Sequence, residues 1–171
     1  MTSTTSFAQN LVEFEKRERD LATVLFTSLS WIKEYSFTSG PVFYDGIVTS
    51  IENTQAIFEI KCRDFDVYKY PNYFLELSKF QNLYKGSERT GYKLLYINFF
   101  KTDKENVWDY IVFNLSRRIE EWKINGAPAT ERILMNKKTF VSRQDKIYKE
   151  TIRLSYEHDK DLKGTVLLSN K

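Results

Sequence analysis

The sequence predicts an α/β protein in which a mixed central β-sheet is flanked by helices. Three observations predict this fold class: a long helical pattern near the start of the chain, two short strand-like segments after it, and a second helix followed by a strand. The predicted order of elements is helix, strand, strand, helix, strand, strand, and then a mixed C-terminal tail.

A long amphipathic helix is predicted over residues 6–35. Its apolar residues recur at three- and four-residue steps, as Leu11, Phe14, Leu21, Leu25 and Ile32. A charged residue, Glu18, falls inside this stripe, midway between Leu11 and Leu25. The segment SFTSG is then expected to break the helix.

An antiparallel hairpin is predicted next, from VFYDGIV (42–48) and AIFEIKCR (56–63). Both segments are rich in β-branched and aromatic residues, and a turn-like segment separates them. Asp45 is expected inside the first strand. Because side chains alternate between the two faces of a strand, Glu59 and Lys61 of the second strand share one face.

The second half of the chain supplies the remaining predicted elements. A helix over residues 73–87 is expected to end at Gly86, and a strand follows over residues 91–100. Residues 106–115 are predicted as a strand, with a helix as the alternative. Residues 116–126 are predicted as a short helix. Two further segments could be strands, KTFVSR (138–143) and ETIRLSY (150–156).

Length and composition place the chain in a broad class. Its 171 residues predict one domain, with the core motifs in residues 7–100 and residues 101–171 as an extension of the same domain. The net charge of +3 permits a nucleic-acid partner without requiring one.

Two classes of protein are disfavoured. One Cys and one His cannot supply the four nitrogen or sulfur ligands of a structural zinc site. No apolar run reaches the ~18 residues that a membrane helix needs, and the first residues lack the features of a secretory signal. We therefore expect a cytoplasmic protein with no membrane partner.

Asp45, Glu59 and Lys61 form the most informative set of polar residues. Two carboxylates on neighbouring strands can converge on a hard divalent cation such as Mg²⁺, which prefers oxygen ligands. A lysine two residues beyond the glutamate lies about 7 Å further along the same face. Its ammonium can reach a phosphate oxygen or an attacking water, so the set is suited to phosphodiester hydrolysis.

An ordinary structural role competes with this interpretation. Antiparallel strands that are exposed on one face routinely carry polar residues there. The surroundings favour function, because Glu59 and Lys61 interrupt a strand whose other positions are almost all apolar.

As an ordered set, these motifs resemble the PD-(D/E)XK nuclease superfamily, which has the restriction-endonuclease-like fold. YDGIV is similar to the first acidic motif and FEIKCR to the (D/E)-x-K motif, although Tyr44 stands where the family name has proline. The helix that carries Glu18 resembles the first helix of the family, and LELSKFQNL with KLLYINFF resembles its next αβ unit. The resemblance covers roughly residues 7–100.

The resemblance implies a nuclease that depends on Mg²⁺ or Mn²⁺ and acts on DNA, with RNA as the alternative substrate. Asp45 and Glu59 would bind the metal together with the main-chain carbonyl of Ile60, and Lys61 would position or activate water. Glu18 would support the metal or the water, with a salt-bridged helix acid as the alternative.

In related families a Lys or Gln on the helix of the αβ unit points toward the site. Lys79 or Gln81 would be that residue here, and a solvated position is the alternative for each. Many members act as dimers because two strands need two sites, and the sequence leaves the oligomeric state open.

Positive charge is concentrated in residues 132–153, which contain seven Lys or Arg residues and two acids. Such a segment suits contact with phosphates, and Lys137, Lys138 and Arg143 are its candidate nucleic-acid contacts. A solvated edge strand protected by lysines is the alternative.

The loop after the hairpin is rich in aromatic residues. Its rings could stack on bases, or pack over the edge of the sheet or in a dimer interface, and packing is favoured. Arg63 and Lys69 are the nearby candidate phosphate contacts.

Three functions therefore stay open: a metal-dependent nuclease, a nucleic-acid-binding protein on the same fold that does not cut, and a protein-interaction module. The sequence favours the first. The sequence does not distinguish an endonuclease from an exonuclease. Its richness in Lys, Asn, Tyr, Phe and Ile suggests an AT-rich genome, which hints at a phage or bacterial source.

Overall fold

The computed structural model of the protein describes residues 3–39, 42–136, 146–158 and 160–168. Within this part of the chain lie three helices and nine strands. The helices are α1 (Ser3–Ser28), α2 (Leu77–Thr90) and α3 (Leu115–Asn125). The strands are β1 (Ile32–Phe37), β2 (Gly46–Ser50), β3 (Gln55–Arg63), β4 (Tyr73–Glu76), β5 (Lys93–Lys101), β6 (Val107–Asn114), β7 (Thr130–Asn136), β8 (Lys146–Leu154) and β9 (Leu162–Leu167). None of the described helices is long and apolar enough to cross a membrane.

The strands form two sheets. Six strands make the main sheet, in the order β1-β2-β3-β5-β6-β9, and three make a small sheet, in the order β4-β8-β7. In the main sheet β3 and β5 run parallel, whereas the other neighbours are antiparallel. The predicted mixed sheet is therefore confirmed.

Two apolar layers cover the main sheet, one on each face. On the first face, Leu21 and Leu25 of α1 pack in one cluster with Phe58 and Phe99 of the central strands. On the second face, α2, α3 and the small sheet pack over a cluster that includes Ile57, Leu83, Leu94, Leu115 and Ile152. The alternation along β3 assigns Ala56, Phe58, Ile60 and Cys62 to the first face, as the sequence predicted.

The predicted fold class is confirmed by this arrangement. The first helix precedes the β2-β3 hairpin, and α2 connects β3 to the parallel strand β5 as the expected αβ unit. A parallel pair needs such a crossover, because a tight turn can join only antiparallel strands.

The first helix is shorter than predicted. It ends at Ser28, and the last predicted turns instead form β1, which pairs with β2 at the edge of the sheet. Tyr35 and Phe37 explain the difference, because as alternate residues of a strand they reach the aromatic side chains of the first face. The helical spacing of Ile32 was coincidental, and strand pairing prevailed over it.

The hairpin has the predicted pairing, but its first strand starts later than predicted. Asp45 precedes β2 and does not lie within a regular strand. Its backbone N–H still donates to Phe58 O at 2.9 Å, and its carbonyl accepts from Thr38 N at 2.9 Å. Both backbone bonds hold Asp45 at the point where β2 begins.

The second helix differs from the prediction at both ends. Residues 73–76 form β4, because they pair with β8, a partner that local periodicity cannot reveal. Gly86 lies within α2, which continues to Thr90 and is capped by Gly91 at φ 74°. Glycine adopts this left-handed conformation without the steric cost of a Cβ, so Gly91 is the C-terminal signal.

The tail contains both predicted and unexpected elements. β6 and α3 confirm the strand at 106–115 and the helix at 116–126, and β8 confirms the strand at 150–156. The proposed strand at 138–143 lies outside the described residues. β9, which the sequence did not predict, adds the last strand to the main sheet beside β6.

Gly46 is a close-packed position next to Asp45. A Cβ there would lie against the carbonyl oxygen of Ser36 and the ring of Phe58, on two neighbouring strands. A backbone oxygen of a paired strand has little freedom to move, so a larger residue would displace the start of β2.

We expect Gly46→Ala to lower the free energy of unfolding by about 1–3 kcal/mol, as overpacking does. Gly86→Ala is the matched control, since its Cβ would meet only the flexible end of Ile57 at 3.1 Å within a helix that favours alanine. Urea unfolding of both variants measures the difference. Equal stability of Gly46→Ala and the wild type would contradict the packing argument.

Candidate active site

The open edge of β3 organises the predicted site residues. β2 pairs with β3 only as far as Phe58, whereas β3 continues to Arg63. Two backbone N–H groups beyond this point are bound by carboxylates instead of a strand. Ile60 N donates to Asp45 Oδ2 at 2.6 Å, and Cys62 N donates to Glu18 Oε1 at 3.0 Å.

The carbonyl of Ile60 points toward the same edge. In a strand the N–H and C=O of one residue face the same neighbour, as the paired bonds of an antiparallel ladder require. The Ile60 carbonyl therefore lies on the side of β3 where the Asp45 carboxylate binds the Ile60 N–H. The family resemblance implied that this carbonyl is a metal ligand, and that role stays a prediction.

The carboxyl group of Glu18 has a strongly perturbed pKa. Burial raises the pKa of the Glu18 carboxyl from 4.5 to about 7, against the opposing effects of the Cys62 N–H and the Lys61 ammonium. Asp45 raises it further, and Lys79 lowers it. Glu18 thus lies within electrostatic range of three other candidate residues, although it comes from a different element.

Glu59 is nearly fully buried, with 5% of its surface exposed. Its carboxylate forms an ion pair with Lys79 of α2. Burial lowers the pKa of the Lys79 ammonium, whereas Asp45 and Glu18 act in the opposite direction. One ammonium therefore faces three carboxylates.

Lys61 is half-buried and lies on the same strand face as Glu59. Its Nζ lies 5.7 Å from the centre of the Phe14 ring on α1. Burial lowers the pKa of the Lys61 ammonium, while the negative charges of Glu18 and Glu76 raise it. Lys61 thus lies between Glu18 on one side and Glu76 of the small sheet on the other.

Lys79, and not Gln81, faces these residues. Positions two apart on a helix lie about 200° apart around its axis, so the two side chains point in nearly opposite directions. Gln81 is exposed and lines a shallow cavity beside Glu76 and Lys149.

The candidate nucleic-acid contacts have different surroundings. The Arg63 guanidinium donates to Phe74 O, Tyr96 OH and Asn98 Oδ1, so it links β3, β4 and β5. Lys69 is exposed, and its Nζ lies within 6 Å of the centres of two aromatic rings in its loop. Lys137, Lys138 and Arg143 lie outside the described residues.

The aromatic residues of the loop after β3 have two kinds of surroundings, since some pack in the core and others are exposed. Tyr73 is buried and packs on Phe100 and Phe113, as the packing interpretation expects. Tyr68 and Tyr70 are exposed by 78% and 47%. These two rings are therefore accessible to a ligand.

A divalent cation fits the donor set on chemical grounds. No group of three or more His, Cys, Asp or Glu residues arranged to hold a metal is found among the described residues. Mg²⁺ does not need one, since it is commonly held by one or two carboxylates, with waters and substrate phosphates completing its shell. The Lys79 ammonium pairs with Glu59 and interacts electrostatically with Asp45 and Glu18, so these carboxylates already interact with a cation.

Sequence reasoning missed three residues near the site. Glu76 and Lys149 form an ion pair at 2.8 Å, and Lys146 lies close by on β8. The two lysines belong to the basic segment, residues 132–153, that the sequence singled out for its charge. Only the pairing of β8 with β4 brings them to Lys61.

Comparisons with known proteins find a similarity in structure but none in sequence families. No protein-family model matches the sequence, and no curated protein gives a significant match. A solved structure of Hjc, a Holliday junction resolvase from the archaeal hyperthermophile Archaeoglobus fulgidus, is similar with a TM-score of 0.45 and 14% identity. The similarity covers 81% of this chain and 87% of that chain. At these values it adds nothing to the argument from the residues themselves.

The raised pKa of Glu18 predicts a pH dependence of stability. Between about pH 4.5 and 7 the folded state holds a proton on Glu18 that the unfolded state releases, so stability falls as pH rises through this range. Glu18→Gln keeps an acceptor for the Cys62 N–H and removes the charge. We expect the variant to gain roughly 1–3 kcal/mol relative to the wild type between pH 4.5 and 8.

Urea unfolding in EDTA across this pH range measures the effect. Glu15→Gln is the control, because Glu15 is an exposed glutamate of the same helix. Parallel pH profiles for the wild type and Glu18→Gln would show that Glu18 is not the group responsible.

Proposed function

We propose that this protein is a metal-dependent nuclease that hydrolyses phosphodiester bonds in DNA. The observation that carries the proposal is the gathering of Asp45, Glu59 and Glu18 around one ammonium, beside the half-buried Lys61. A solvated strand face does not require one buried and two half-buried carboxylates from three separate segments of the chain.

Asp45, Glu59 and the Ile60 carbonyl would hold the Mg²⁺ or Mn²⁺ ion. When bound, the ion supplies Lewis-acid stabilisation of charge on the phosphate and lowers the pKa of water. Lys79 would move from Glu59 as the ion enters, because both compete for the same carboxylate.

Lys61 would orient the attacking water and stabilise negative charge on the phosphate. Its lowered pKa brings the ammonium closer to proton exchange at neutral pH. Glu18, with a pKa of about 7, is suited to take a proton from that water. The water oxygen would then bond to phosphorus as the bond to the leaving oxygen breaks, and the leaving oxygen would take a proton from solvent.

We expect Lys61→Ala to lower the cleavage rate at least ~100-fold, because it removes the charge next to the reacting phosphate. Labelled linear duplex, single-stranded DNA and a four-way junction are incubated with Mg²⁺, Mn²⁺ or EDTA. Lys85→Ala, an exposed lysine further along α2, is the control and should cut normally. Cleavage that persists in EDTA or in Lys61→Ala would overturn the assigned role.

The same substrates separate the proposal from its alternative. DNA binding without cleavage under any metal condition would support the non-cleaving protein on this fold. Neither binding nor cleavage would favour the protein-interaction module. Sedimentation of the free protein and of its DNA complex tests whether the protein is a dimer, which the sequence leaves open.

Metal binding also predicts a change in stability that does not depend on catalysis. For a dissociation constant on the order of 1 mM, 10 mM Mg²⁺ should raise the free energy of unfolding by about 1.4 kcal/mol. We expect Asp45→Asn and Glu59→Gln to abolish this gain. Asp20→Asn, an exposed aspartate of α1, should keep it, and thermal unfolding with and without Mg²⁺ measures the difference. A gain retained in all variants would show that the ion binds elsewhere.

A further inference from the structure

A cavity of about 600 Å³ opens beside Lys61. It lies between the end of β3, the aromatic loop and the small sheet, and its walls include Phe65, Tyr70, Phe74 and Met135. Its volume is within the range of about 300–1,000 Å³ that small-molecule sites in proteins occupy. The proposed metal site would use Asp45 and Glu59, which do not line the cavity, so the cavity is a separate space that Lys61 adjoins.

The charged residues that line the cavity favour an anion. Its described lining carries four cationic side chains and a single acid, and these are Lys61, Arg63, Lys146, Lys149 and Glu76. The acid is paired with Lys149, and Arg63 bonds neutral acceptors, so the positive charge of the cavity is not cancelled. Lys146 is exposed at the rim.

The apolar part of the cavity presents aromatic rings. Phe65 and Tyr70 lie with ring centres 5.0 Å apart at 90°, and Phe65 also packs on Phe100 of the core. The core contact positions Phe65, which in turn supports Tyr70, whose ring is still 47% exposed. A supported and accessible aromatic ring is a stacking surface for a base.

We propose that the cavity binds one unpaired nucleotide next to the phosphate to be cut. Its base would stack in the aromatic part, at Tyr70, and its phosphate would lie against Lys146 and Lys61. A base within continuous duplex is paired and stacked, and must be extruded at a free-energy cost before it can enter a cavity. The preferred substrate is therefore DNA with an unpaired nucleotide. The inference rests on the proposed nuclease function only for the cut itself, since binding in the cavity is independent of metal.

Binding in EDTA tests the inference without cleavage. Fluorescence anisotropy compares a labelled duplex that contains one bulged nucleotide with the same duplex without the bulge. We expect the wild type to prefer the bulged duplex about 10-fold. Tyr70→Ala should reduce this preference to about twofold or less, and Tyr70→Phe, which keeps the ring, should retain it.

Tyr68→Ala is the matched control. Tyr68 is an exposed tyrosine of the same loop that does not line the cavity, so its loss should leave the preference unchanged. Equal binding of the two duplexes by the wild type would overturn the inference. A preference that persists in Tyr70→Ala would also overturn it, because the flexibility of the bulge would then be the cause.

Cleavage assays on the same duplexes distinguish failure of the inference from failure of the nuclease proposal. Metal-dependent cutting of both duplexes at equal rates would support the nuclease function and reject the binding of an unpaired nucleotide in the cavity. A preference for the bulged duplex that needs Tyr70, without cleavage of either duplex, would support nucleotide binding in the cavity and reject the nuclease function. Absence of all DNA binding would overturn both.

Discussion

The candidate site depends on a mismatch in length between two paired strands. β3 extends beyond the start of β2, so the N–H groups of Ile60 and Cys62 face an edge that no strand among the described residues covers. Backbone donors left unpaired inside a protein are costly, and these two are bound by the carboxylates of Asp45 and Glu18. The same bonds that complete the backbone of β3 therefore draw acids from two other elements to one place.

The hydrogen bonds of these carboxylates stabilise the fold, whereas the burial of their charges destabilises it. A buried carboxylate such as Glu59 is tolerated because Lys79 pairs with it, and burial holds the pKa of Glu18 near neutrality. A core built only for stability would have apolar residues at these positions. Perturbed and paired acids in one cluster are typical of sites that bind cations or transfer protons.

The C-terminal region completes the surface beside the cluster. β4 and β8 pair to form the small sheet, which supplies Lys146, Lys149 and the wall opposite Lys61. The buried Arg118 of α3 binds Glu157, Asp161 and the carbonyl of Ser155, so the connection from β8 to β9 is anchored to the second face of the main sheet. These contacts of Arg118 help to hold β8, and with it the small sheet, against the main sheet.

The sequence by itself determined the elements that have a strong local pattern and the residues with a distinctive chemistry. Alternation in 56–63 put Glu59 and Lys61 on one face, and Glu18 was identified because it interrupts an apolar stripe. Tertiary structure decided where the first helix ends, that residues 73–76 form a strand, and that Lys79 rather than Gln81 meets Glu59. It also decided that the cavity exists, because its walls come from segments more than 50 residues apart. The physical reason is that periodicity records only neighbours along the chain, whereas strand pairing and ion pairs are set by partners that folding brings together.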